Sequence, residues 1–326
     1  MSDKIRIGVL GCSSIAERFV IPAICALPNM FELIAVSSRN EKKLDAYCKR
    51  LNVKGVLGYQ QLIDSNDLDA IYIPLPNSMH FEWVERALTN GLHVLVEKSL
   101  ACTLEEVQYL NSLADKSKLV LLENFQFQKH KQLAVIKDIL ADGRIGELRL
   151  VRSSFGFPPF ADRDNIRYSK ELGGGALLDA GAYPLKIAQE FLGHNLSVSA
   201  ASLYVGSDLD VDLWGSIQIS STDHCVTGQL SFGFDNYYQC NLELWGTKGF
   251  LKANRIFTTP PGVNAVLELD CSDGTSEKIN IPADNHFENM LGYFYELTKN
   301  EVSRNLEYFK NINQSRLIAE ALSISK

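Results

Sequence analysis

Short apolar runs alternate with helix-like periodicity over the first third of the chain. Apolar runs bounded by charged or turn residues are typical of buried parallel strands, and apolar residues recurring every three to four positions predict helices. The strands are expected at residues 5–10, 32–37, 70–74, 92–97 and 119–123, and the helices at about 15–27, 41–51, 60–64, 80–90 and 104–116. This alternation predicts a doubly wound parallel sheet, the Rossmann type of α/β domain, over residues 1–123.

Residues 124–326 follow a different pattern, in which apolar and polar residues alternate with a period of two after a helix over 133–141. Strands are expected at 147–156, 197–206, 211–220, 224–234, 237–246, 265–271 and 276–281. Asp273-Gly274 predicts a hairpin turn, and Asp235-Asn236 predicts a turn between another pair of strands. Apolar stripes predict two closing helices, with Phe287, Met290, Leu291, Phe294 and Leu297 on one and Ile312, Leu317, Ala321 and Leu322 on the other. We expect an α/β domain with one open, mainly antiparallel sheet.

Composition narrows the class of protein. With 326 residues the chain is long enough for two domains, and its 32 basic and 39 acidic residues give a net charge of -7. An acidic chain is a poor partner for nucleic acid or an anionic membrane, so neither is expected. Seven widely spaced cysteines without a C-x-x-C pair indicate reduced thiols. Because the chain also shows no leader and no membrane-spanning apolar run, we expect a cytoplasmic protein.

No metal site is expected from the six histidines, because no two of them have the spacing of metal ligands. They are His80, His93, His130, His194, His224 and His286.

The first predicted strand leads directly into a glycine turn and the start of a helix. The segment after Leu10 is Gly11-Cys12-Ser13-Ser14-Ile15-Ala16. A tight turn before a helix N-terminus forms an anion cradle, because backbone N–H groups and the helix dipole favour a pyrophosphate. The spacing is Gly-x-Ser-x-x-Ala, so Ser13 stands where a second glycine is usual. We predict that residues 11–15 bind the pyrophosphate of a dinucleotide.

The end of the second predicted strand indicates which dinucleotide is bound. An NAD site usually places a carboxylate there to accept from the ribose 2′-hydroxyl, whereas arginine accommodates a 2′-phosphate. In this chain the strand ends in Ser37, Ser38 and Arg39, and no carboxylate occupies the position. These residues predict that the cofactor is NADP(H).

A Glu-Lys pair follows another buried strand. The run Val94-Leu95-Val96 ends in Glu97-Lys98-Ser99. In an open α/β sheet ligands bind outside the carboxyl ends of the strands, so Lys98 is expected at the ligand site. A lysine at a strand end is by itself more often a solvated surface charge. The motifs that precede and follow Lys98 favour a functional role for it.

A long glycine-rich segment completes the set of motifs. It reads Gly173-Gly174-Gly175-Ala176-Leu177-Leu178-Asp179-Ala180-Gly181-Ala182-Tyr183. The dinucleotide turn, Glu97-Lys98 and this segment, in that order, resemble the glucose-fructose oxidoreductase, inositol dehydrogenase and rhizopine catabolism (Gfo/Idh/MocA) family. The resemblance covers the whole chain, including Pro74-Leu75-Pro76-Asn77 and His80 after the third predicted strand.

The resemblance implies a Rossmann domain followed by an α/β domain whose open sheet forms a subunit interface, and hence a homodimer or homotetramer. It implies a catalytic lysine, with an aspartate and a histidine or tyrosine four residues apart, which correspond to Lys98, Asp179 and Tyr183. The same residues would contact the substrate. Further cofactor contacts are expected from Pro74, Leu75, Asn77, His80, Glu97 and Lys98.

The chain departs from the family pattern at two positions. The usual Glu-Lys-Pro is Glu97-Lys98-Ser99 here, and a cis bond before a residue other than proline costs ~3 kcal/mol. We therefore expect a trans peptide at Ser99, or a cis one whose strain is compensated. Pro184 directly follows Tyr183, and an interior proline kinks or ends a helix. The i, i+4 geometry of Asp179 and Tyr183 then requires the break to fall after Tyr183.

These residues suit a hydride transfer between a nicotinamide and a sugar carbon. Tyrosine can donate a proton to the developing alkoxide, and the Lys98 ammonium would lower its pKa from the free value of ~10. Lys98 can also stabilise negative charge on the carbonyl oxygen. Asp179 would bind a substrate hydroxyl or hold Lys98. The competing interpretations are a core tyrosine for Tyr183 and a helix N-terminal charge for Asp179.

The substrate prediction rests on the segments that lead into the glycine run. Residues 155–160 and 163–168 are similar to the branch that reduces keto groups on nucleotide-linked deoxysugars, and overlap with the xylose and dihydrodiol dehydrogenase branch. Arg163 and Arg167 are the expected contacts to a diphosphate, with Arg152 and Lys186 as further candidates. We therefore predict an NADPH-dependent reductase of a nucleotide-linked 3-keto-deoxysugar. The alternatives are an NADP-dependent aldose or trans-dihydrodiol dehydrogenase, and a non-catalytic dinucleotide or sugar sensor on the same fold.

Overall fold

The computed structural model describes residues 4–223 and 225–325, which form two compact units. The first unit comprises the chain up to Asn124 together with Phe287–Ile312, and the second comprises Phe125–His286 together with the chain from Asn313. The segment 287–312, which the sequence pattern assigns to the second domain, thus belongs to the first unit. Residue 224, the first of a predicted strand and one of the six histidines, lies outside the described residues.

A six-stranded parallel sheet forms the centre of the first unit. Its strands are β1 (Ile5–Leu10), β2 (Phe31–Ser38), β3 (Gly55–Leu57), β4 (Ala70–Ile73), β5 (His93–Val96) and β6 (Leu121–Glu123), in the order β3-β2-β1-β4-β5-β6. The helices are α1 (Ile21–Ala26, after a π-helical turn at Ala16–Val20), α2 (Glu41–Leu51), α3 (Tyr59–Ile63), α4 (Asn77–Thr89) and α5 (Leu104–Ser117). The predicted doubly wound domain is confirmed, and its strand order reverses between β1 and β4, where such folds bind ligands.

Successive strand residues point to opposite sides of the sheet, and an apolar cluster packs against each side. Ile7 and Val9 belong to one apolar cluster, and Leu10 belongs to the other. Helix α8 (His286–Lys299) adds its predicted stripe to the first of these clusters, and its Phe287 ring stacks on Phe19 at a centroid distance of 4.8 Å. Burial of this stripe explains why the segment 287–312 belongs to the first unit.

An eight-stranded sheet forms the centre of the second unit. Its strands are β7 (Leu148–Gly156), β8 (Leu196–Val205), β9 (Asp212–Ser221), β10 (Thr227–Gly233), β11 (Gln239–Gly246), β12 (Gly249–Ala253), β13 (Ala265–Cys271) and β14 (Ser276–Ile281), in the order β14-β13-β12-β11-β7-β10-β9-β8. Only the pair β7–β10 is parallel among these described strands. The prediction of a mainly antiparallel sheet is confirmed, as is the hairpin at Asp273-Gly274.

The turn predicted at Asp235-Asn236 does not join a hairpin. β10 and β11 on either side of it are separated in the sheet by β7, because each pairs with a different edge of that strand. Strand β12 was missed, since five residues beginning with Gly249 give too short an alternation to recognise. The short strand β3 was missed for the same reason.

One face of this sheet is covered by the helices α6 (Lys131–Ala141) and α7 (Ala182–Leu192) and by the unit's apolar core. The opposite face is not uniformly apolar. One cross-strand row on it consists of Gln229, Arg152, Glu243, Lys252, Glu268 and Lys278. Two tryptophans stand on the same sheet, Trp214 with 43% and Trp245 with 53% of its surface exposed.

The closing helix α9 (Glu301–Ile324) divides at Ile312, so that its first half belongs to the first unit and the remainder to the second. No helix within the described ranges is long and apolar enough to cross a membrane.

Candidate active site

The turn after β1 requires glycine at Gly11 for two reasons. Its φ of +106° is strained for any side chain, and a Cβ there would lie 2.8 Å from Cδ2 of Leu75. Ser13 begins the following helix, because its Oγ accepts a hydrogen bond from the N–H of Ala16 (3.2 Å). Cys12 is buried, and burial raises the pKa of its thiol, which disfavours the reactive thiolate. The close backbone turn and helix start fit a dinucleotide pyrophosphate.

The three residues at the end of β2 have different environments. Ser37 is buried and its Oγ donates to the carbonyl of Val9 (3.4 Å), so its hydroxyl is directed into the sheet. Ser38 accepts from the N–H of Asn40 (3.2 Å), which begins α2. The guanidinium of Arg39 is exposed and lies over the ring of Tyr59, 5.5 Å from its centroid. Of the three, Arg39 is the residue with a cationic group available to a phosphate.

A buried histidine joins the segments that follow β4 and β5. His80 lies in α4, with Nε2 2.8 Å from the carbonyl oxygen of Leu75 and Nδ1 2.6 Å from that of Ser99. Burial, with a smaller effect of the Lys98 charge, lowers the pKa of His80 to about 4. A neutral ring can donate to only one of the two carbonyls, and burial opposes the second proton that would let it donate to both. Because its two nitrogens contact the backbone of Leu75 and Ser99, His80 links the segment after β4 to the segment after β5.

The Lys98 segment is held by buried polar groups on several sides. The carboxylate of Glu97 accepts from the Tyr72 hydroxyl (2.7 Å) and from Nδ2 of Asn124 (2.6 Å). Burial raises the pKa of Glu97, and these hydrogen bonds oppose the rise. The N–H of Leu100 donates to Oε1 of Glu123 (2.9 Å). Each contact restrains a residue close to Lys98 in sequence, which limits where its ammonium can lie.

The peptide between Lys98 and Ser99 is cis. Of the two alternatives drawn from the sequence, the trans peptide is therefore wrong. That expectation considered only the intrinsic preference of a bond that is not followed by proline.

In the second unit, the glycine run before Asp179 is explained by close backbone packing. A Cβ on Gly174 would lie 2.4 Å from the carbonyl oxygen of Arg167, and one on Gly175 would lie 2.4 Å from Oδ1 of Asp212. Gly175 also has a φ of +108°. The Asp212 carboxylate accepts from the N–H of Leu177 (2.6 Å), which starts the helical segment. Asp212 thus fixes the beginning of the segment that carries Asp179.

Arg167 and Asp179 form a charged pair. Nε of Arg167 donates to Oδ2 of Asp179 at 2.6 Å, and the guanidinium lies 4.9 Å from the ring centroid of Phe160. Burial acts to lower the pKa of Arg167, but the Asp179 carboxylate and, to a lesser extent, Tyr183 and Tyr168 raise it overall. Arg167, Asp179 and Tyr183 are therefore neighbours within one unit. The sequence predicted each of them but not the pair.

The Tyr183 ring is packed among phenylalanines. The ring centroids of Phe125, Phe127, Phe155 and Phe257 lie 5.5, 5.8, 4.9 and 5.4 Å from that of Tyr183. Only 8% of the Tyr183 surface is exposed. This packing fixes the direction of the ring, which suits a proton donor that must reach one atom. A tyrosine whose ring packs in the core can also use its hydroxyl as a proton donor, so the two interpretations of Tyr183 are compatible.

The helix geometry around Tyr183 differs from the expected one. A π-helical turn spans Leu177–Gly181, and α7 begins at Ala182, before Tyr183. Gly181 and Ala182 both have helical backbone angles, so the helix runs on from the π turn into α7 and Pro184 lies inside it. A proline there supplies no N–H to the preceding turn, and the π turn is where the helix accommodates that loss. The helix does not break before Tyr183, so the condition is not contradicted, and only the helix type changes between Asp179 and Tyr183.

The remaining cationic candidates for the diphosphate differ in their exposure and in their contacts. Arg163 is exposed. Arg152 lies on the open face of the sheet, where its Nε donates to Oε1 of Gln229 (2.9 Å) and its guanidinium lies 5.8 Å from the Trp245 ring centroid. Lys186 is buried, with 3% exposure, and its Nζ lies 5.0 Å from the Phe125 ring centroid. Lys186 is therefore a buried cation against the aromatic cluster and not a solvated surface charge.

Sequence reasoning missed Tyr59, Asp212 and Glu123, which support the predicted site residues. Asp212 and Tyr59 are distant in sequence from the motifs that they support. A signal was available for Glu123, since it ends a buried strand next to the one that ends in Glu97-Lys98. Across residues 4–223 and 225–325, no three His, Cys, Asp or Glu side chains form a metal-binding group.

Comparison with known proteins agrees with this architecture. Residues 5–125 match the GFO/IDH/MocA oxidoreductase family with its NAD-binding Rossmann fold, and residues 133–252 match the C-terminal domain of the same family. The chain belongs to the GFO/IDH/MocA family of oxidoreductases, and the predicted family is confirmed.

Three relatives show where the chain lies within the family. It is 42% identical to the dTDP-3,4-didehydro-2,6-dideoxy-alpha-D-glucose 3-reductase of Saccharopolyspora spinosa, over 87% of this chain and 84% of the relative. It is 32% identical to the D-xylose 1-dehydrogenase (NADP(+)) 2 of Haloferax volcanii, over 80% of this chain and 79% of the relative. The crystal structure of a 3-ketoreductase from Actinomadura kijaniata in complex with NADP and TDP-benzene has a TM-score of 0.93 and 35% identity, with 98% of each chain covered.

Proposed function

We propose that this protein reduces the 3-keto group of a dTDP-linked deoxysugar with NADPH. The observation that carries the proposal is the 42% identity to a dTDP-sugar 3-reductase, against 32% to a xylose dehydrogenase. The structural relative binds NADP together with a TDP derivative, which supports both the cofactor and the nucleotide. The reaction converts the ketone and NADPH to the alcohol and NADP⁺, with one proton taken up.

The cofactor would lie at the carboxyl edge of the parallel sheet. Gly11 and the helix start at Ser13 suit the pyrophosphate, and Arg39 suits the 2′-phosphate of NADPH. The segment from Pro74 to Asn77 would contact the nicotinamide half, since it follows β4 at the reversal of strand order. Bound NADPH supplies the hydride.

Lys98 and Tyr183 would act on the oxygen of the reacting carbonyl. The Lys98 ammonium would donate a hydrogen bond to this oxygen and stabilise the negative charge that develops there. The Tyr183 hydroxyl would donate the proton that completes the alcohol. Asp179 would contact a hydroxyl of the sugar while holding Arg167. The fixed Tyr183 ring and the restrained Lys98 segment support these roles.

Arg163 and Arg167 would interact with the anionic part of the nucleotide. Arg163 is exposed, whereas Arg167 is already paired with Asp179. We therefore assign the diphosphate contact mainly to Arg163, and the positioning of Asp179 to Arg167.

A second candidate function is the NADP-dependent oxidation of a free aldose. The likeness to a D-xylose 1-dehydrogenase over 80% of the chain favours it. Both functions use the same cofactor and the same pair of catalytic residues, so they differ in the substrate and in the direction of hydride transfer.

We propose further that the enzyme is a homo-oligomer that works in a reducing compartment such as the cytoplasm. The open sheet face carries Arg152, Trp214 and Trp245, residue types that are enriched in protein interfaces. All seven cysteines carry free thiols. The oligomer proposal is tested by light scattering at micromolar concentration, and a monomer would contradict it.

The function is tested by steady-state kinetics with NADPH and a dTDP-linked 3-keto-6-deoxysugar, followed by NMR of the product. We expect oxidation of NADPH with formation of the 3-hydroxy sugar, and no comparable turnover of NADP⁺ with D-xylose. The opposite preference would establish the aldose dehydrogenase. Binding of both ligands without turnover in either assay would leave a sensor as the function.

A further inference from the structure

We propose that Tyr59 determines cofactor specificity by holding the Arg39 guanidinium in place for the 2′-phosphate of NADPH. The inference rests on the proposed cofactor site. It adds to that site a residue that lies outside the motifs identified in the sequence. Tyr59 would be a positioning residue, since it acts on the phosphate through Arg39.

The contact between the two side chains is direct. Cζ of Arg39 lies 5.5 Å from the centroid of the Tyr59 ring, within the range of a cation–π interaction. The guanidinium is exposed, whereas only 7% of the Tyr59 surface is exposed. A rigid ring thus supports a side chain that would otherwise sample many rotamers in water.

The backbone places this ring next to Arg39. The N–H of Gly58 donates to the carbonyl of Ser38 at 2.9 Å, so the residues before Tyr59 and before Arg39 are hydrogen-bonded to each other. Gly58 has a φ of +92°, which turns the chain from β3 into α3 and directs Tyr59 beneath Arg39. The ring also packs edge-on against Trp83 at a centroid distance of 5.1 Å.

Tyr59 also reaches the glycine turn. A Cβ on Gly11 would lie 3.8 Å from the Tyr59 hydroxyl. The tyrosine therefore spans the distance between the turn proposed for the pyrophosphate and the arginine proposed for the 2′-phosphate. In a dinucleotide the adenosine ribose connects these same two groups, so Tyr59 lies along the region that the ribose would occupy.

The contact predicts an effect on one cofactor only. NADPH carries the 2′-phosphate and NADH does not, so a residue that positions Arg39 changes the affinity for NADPH. A residue that merely maintains the fold of the turn changes the affinity for both cofactors equally. The ratio of the two dissociation constants separates these roles.

The test is calorimetric titration of NADPH and NADH into the full-length protein and into Tyr59→Leu, Tyr59→Phe, Arg39→Ala and the double variant Tyr59→Leu/Arg39→Ala. Tyr59→Leu should weaken NADPH binding by about 3- to 30-fold and leave NADH binding within twofold, because it removes the ring. Tyr59→Phe keeps the ring and should retain most of the NADPH preference. In the Arg39→Ala background, Tyr59→Leu should cause no further loss.

The outcomes separate this inference from the cofactor proposal. If Arg39→Ala leaves the NADPH preference intact, Arg39 does not bind the 2′-phosphate and the cofactor proposal fails. If Arg39→Ala abolishes the preference but Tyr59→Leu does not reduce it, only the role of Tyr59 is overturned. Equal weakening of both cofactors by Tyr59→Leu also overturns it, whereas an NADPH-selective loss in Tyr59→Phe assigns the positioning to the Tyr59 hydroxyl, which also interacts with Arg39. Should Tyr59→Leu not fold, Tyr59→Met, which is unbranched and flexible, replaces it.

Discussion

Nε of Arg167 donates a hydrogen bond to Oδ2 of Asp179 over 2.6 Å, and the two residues form one charged unit. The carboxylate side is well buried, with 14% of the side chain exposed, and the arginine side chain is 35% exposed. Neither charge can be removed without leaving the other in a partly desolvated site. This pairing changes the interpretation of both residues, because Asp179 is the partner of a cation and not an isolated charge at a helix N-terminus.

The first prediction concerns this pair. Asp179→Asn should lower the free energy of unfolding by about 1–3 kcal/mol, less than for a fully buried pair because Arg167 is partly exposed. The double variant Asp179→Asn/Arg167→Met should be less destabilised than the sum of its single changes, because it leaves no unpaired charge. Urea unfolding of the four proteins measures the coupling. Strictly additive effects would show that the contact contributes nothing.

The second prediction concerns the proposed proton donor. Tyr183→Phe removes only a hydroxyl and keeps the ring that packs against Phe125, Phe155 and Phe257. Turnover should fall by about 10²–10⁴-fold, which is the usual contribution of general acid catalysis. Lys98→Met should reduce turnover at least as much, because it removes the cation proposed to stabilise the negative charge that develops on the carbonyl oxygen. Single-turnover measurements at saturating NADPH follow the chemical step.

Nucleotide affinity is the control for these variants. Neither change should weaken the binding of dTDP by more than a few-fold, since the nucleotide is assigned to other residues. Near-native turnover of Tyr183→Phe together with an inactive Lys98→Met would identify Lys98 or a bound water as the donor. Tyr183 would then position the substrate.

The third prediction concerns the start of the helical segment that carries Asp179. Asp212→Ala removes the carboxylate that accepts from the N–H of Leu177, and should destabilise the protein by about 1–3 kcal/mol. Asp212→Asn keeps an acceptor oxygen and should be less damaging. Burial raises the pKa of Asp212, so the loss of its charge alone is tolerated better than the loss of the acceptor. Equal stability of the two variants in thermal unfolding would contradict the capping role.

The sequence predicted the parallel sheet well because its strands are separated by helices with clear periodicity. It also named candidate catalytic residues whose chemistry is distinctive, such as Lys98 and Tyr183, and their roles are proposals that the variants above test. It did not predict that α8 belongs to the first unit, because the stripe beginning at Phe287 specifies an apolar partner but not which one. Local patterns describe the face of an element, and the surface that covers that face is a property of the tertiary structure.

The same limit applies within the candidate site. The pairing of Arg167 with Asp179 and the capping of Leu177 by Asp212 join residues 12 and 35 positions apart. No periodicity relates such residues, and their contacts depend on how the glycine run turns. Gly174 and Gly175 were recognised as a family motif, but the close approaches that require them became evident only from the backbone.

The fourth prediction concerns His80, which contacts the carbonyl oxygens of Leu75 and Ser99. His80→Phe fills a similar volume but leaves a buried carbonyl without its donor, so the protein should lose about 1–3 kcal/mol of stability. Displacement of Ser99 should move Lys98 and lower the rate of hydride transfer. His80→Gln retains one N–H donor and should restore part of both quantities. If both variants equal the native protein in rate and stability, the histidine does not support the segment.

The last prediction concerns the pH dependence of stability through His93. The N–H of Val120 donates to Nδ1 of His93 at 2.9 Å, so protonation of this nitrogen would break the hydrogen bond that joins the residues leading into β5 and β6. Burial, and secondarily the charge of Arg304, lowers the pKa of His93 from 6.5 to about 4. The unfolded chain therefore binds a proton at a higher pH than the native protein. The stability from His93 is fully present above pH ~6.5 and is lost as the pH falls towards 4, by up to ~1.4 kcal/mol per pH unit.

NMR should show a neutral His93 ring at pH 5.5. His93→Asn, which keeps an acceptor but does not titrate, should reduce the pH dependence of the unfolding free energy by about one proton. Titration of His93 near pH 6.5 in the folded protein would contradict this account.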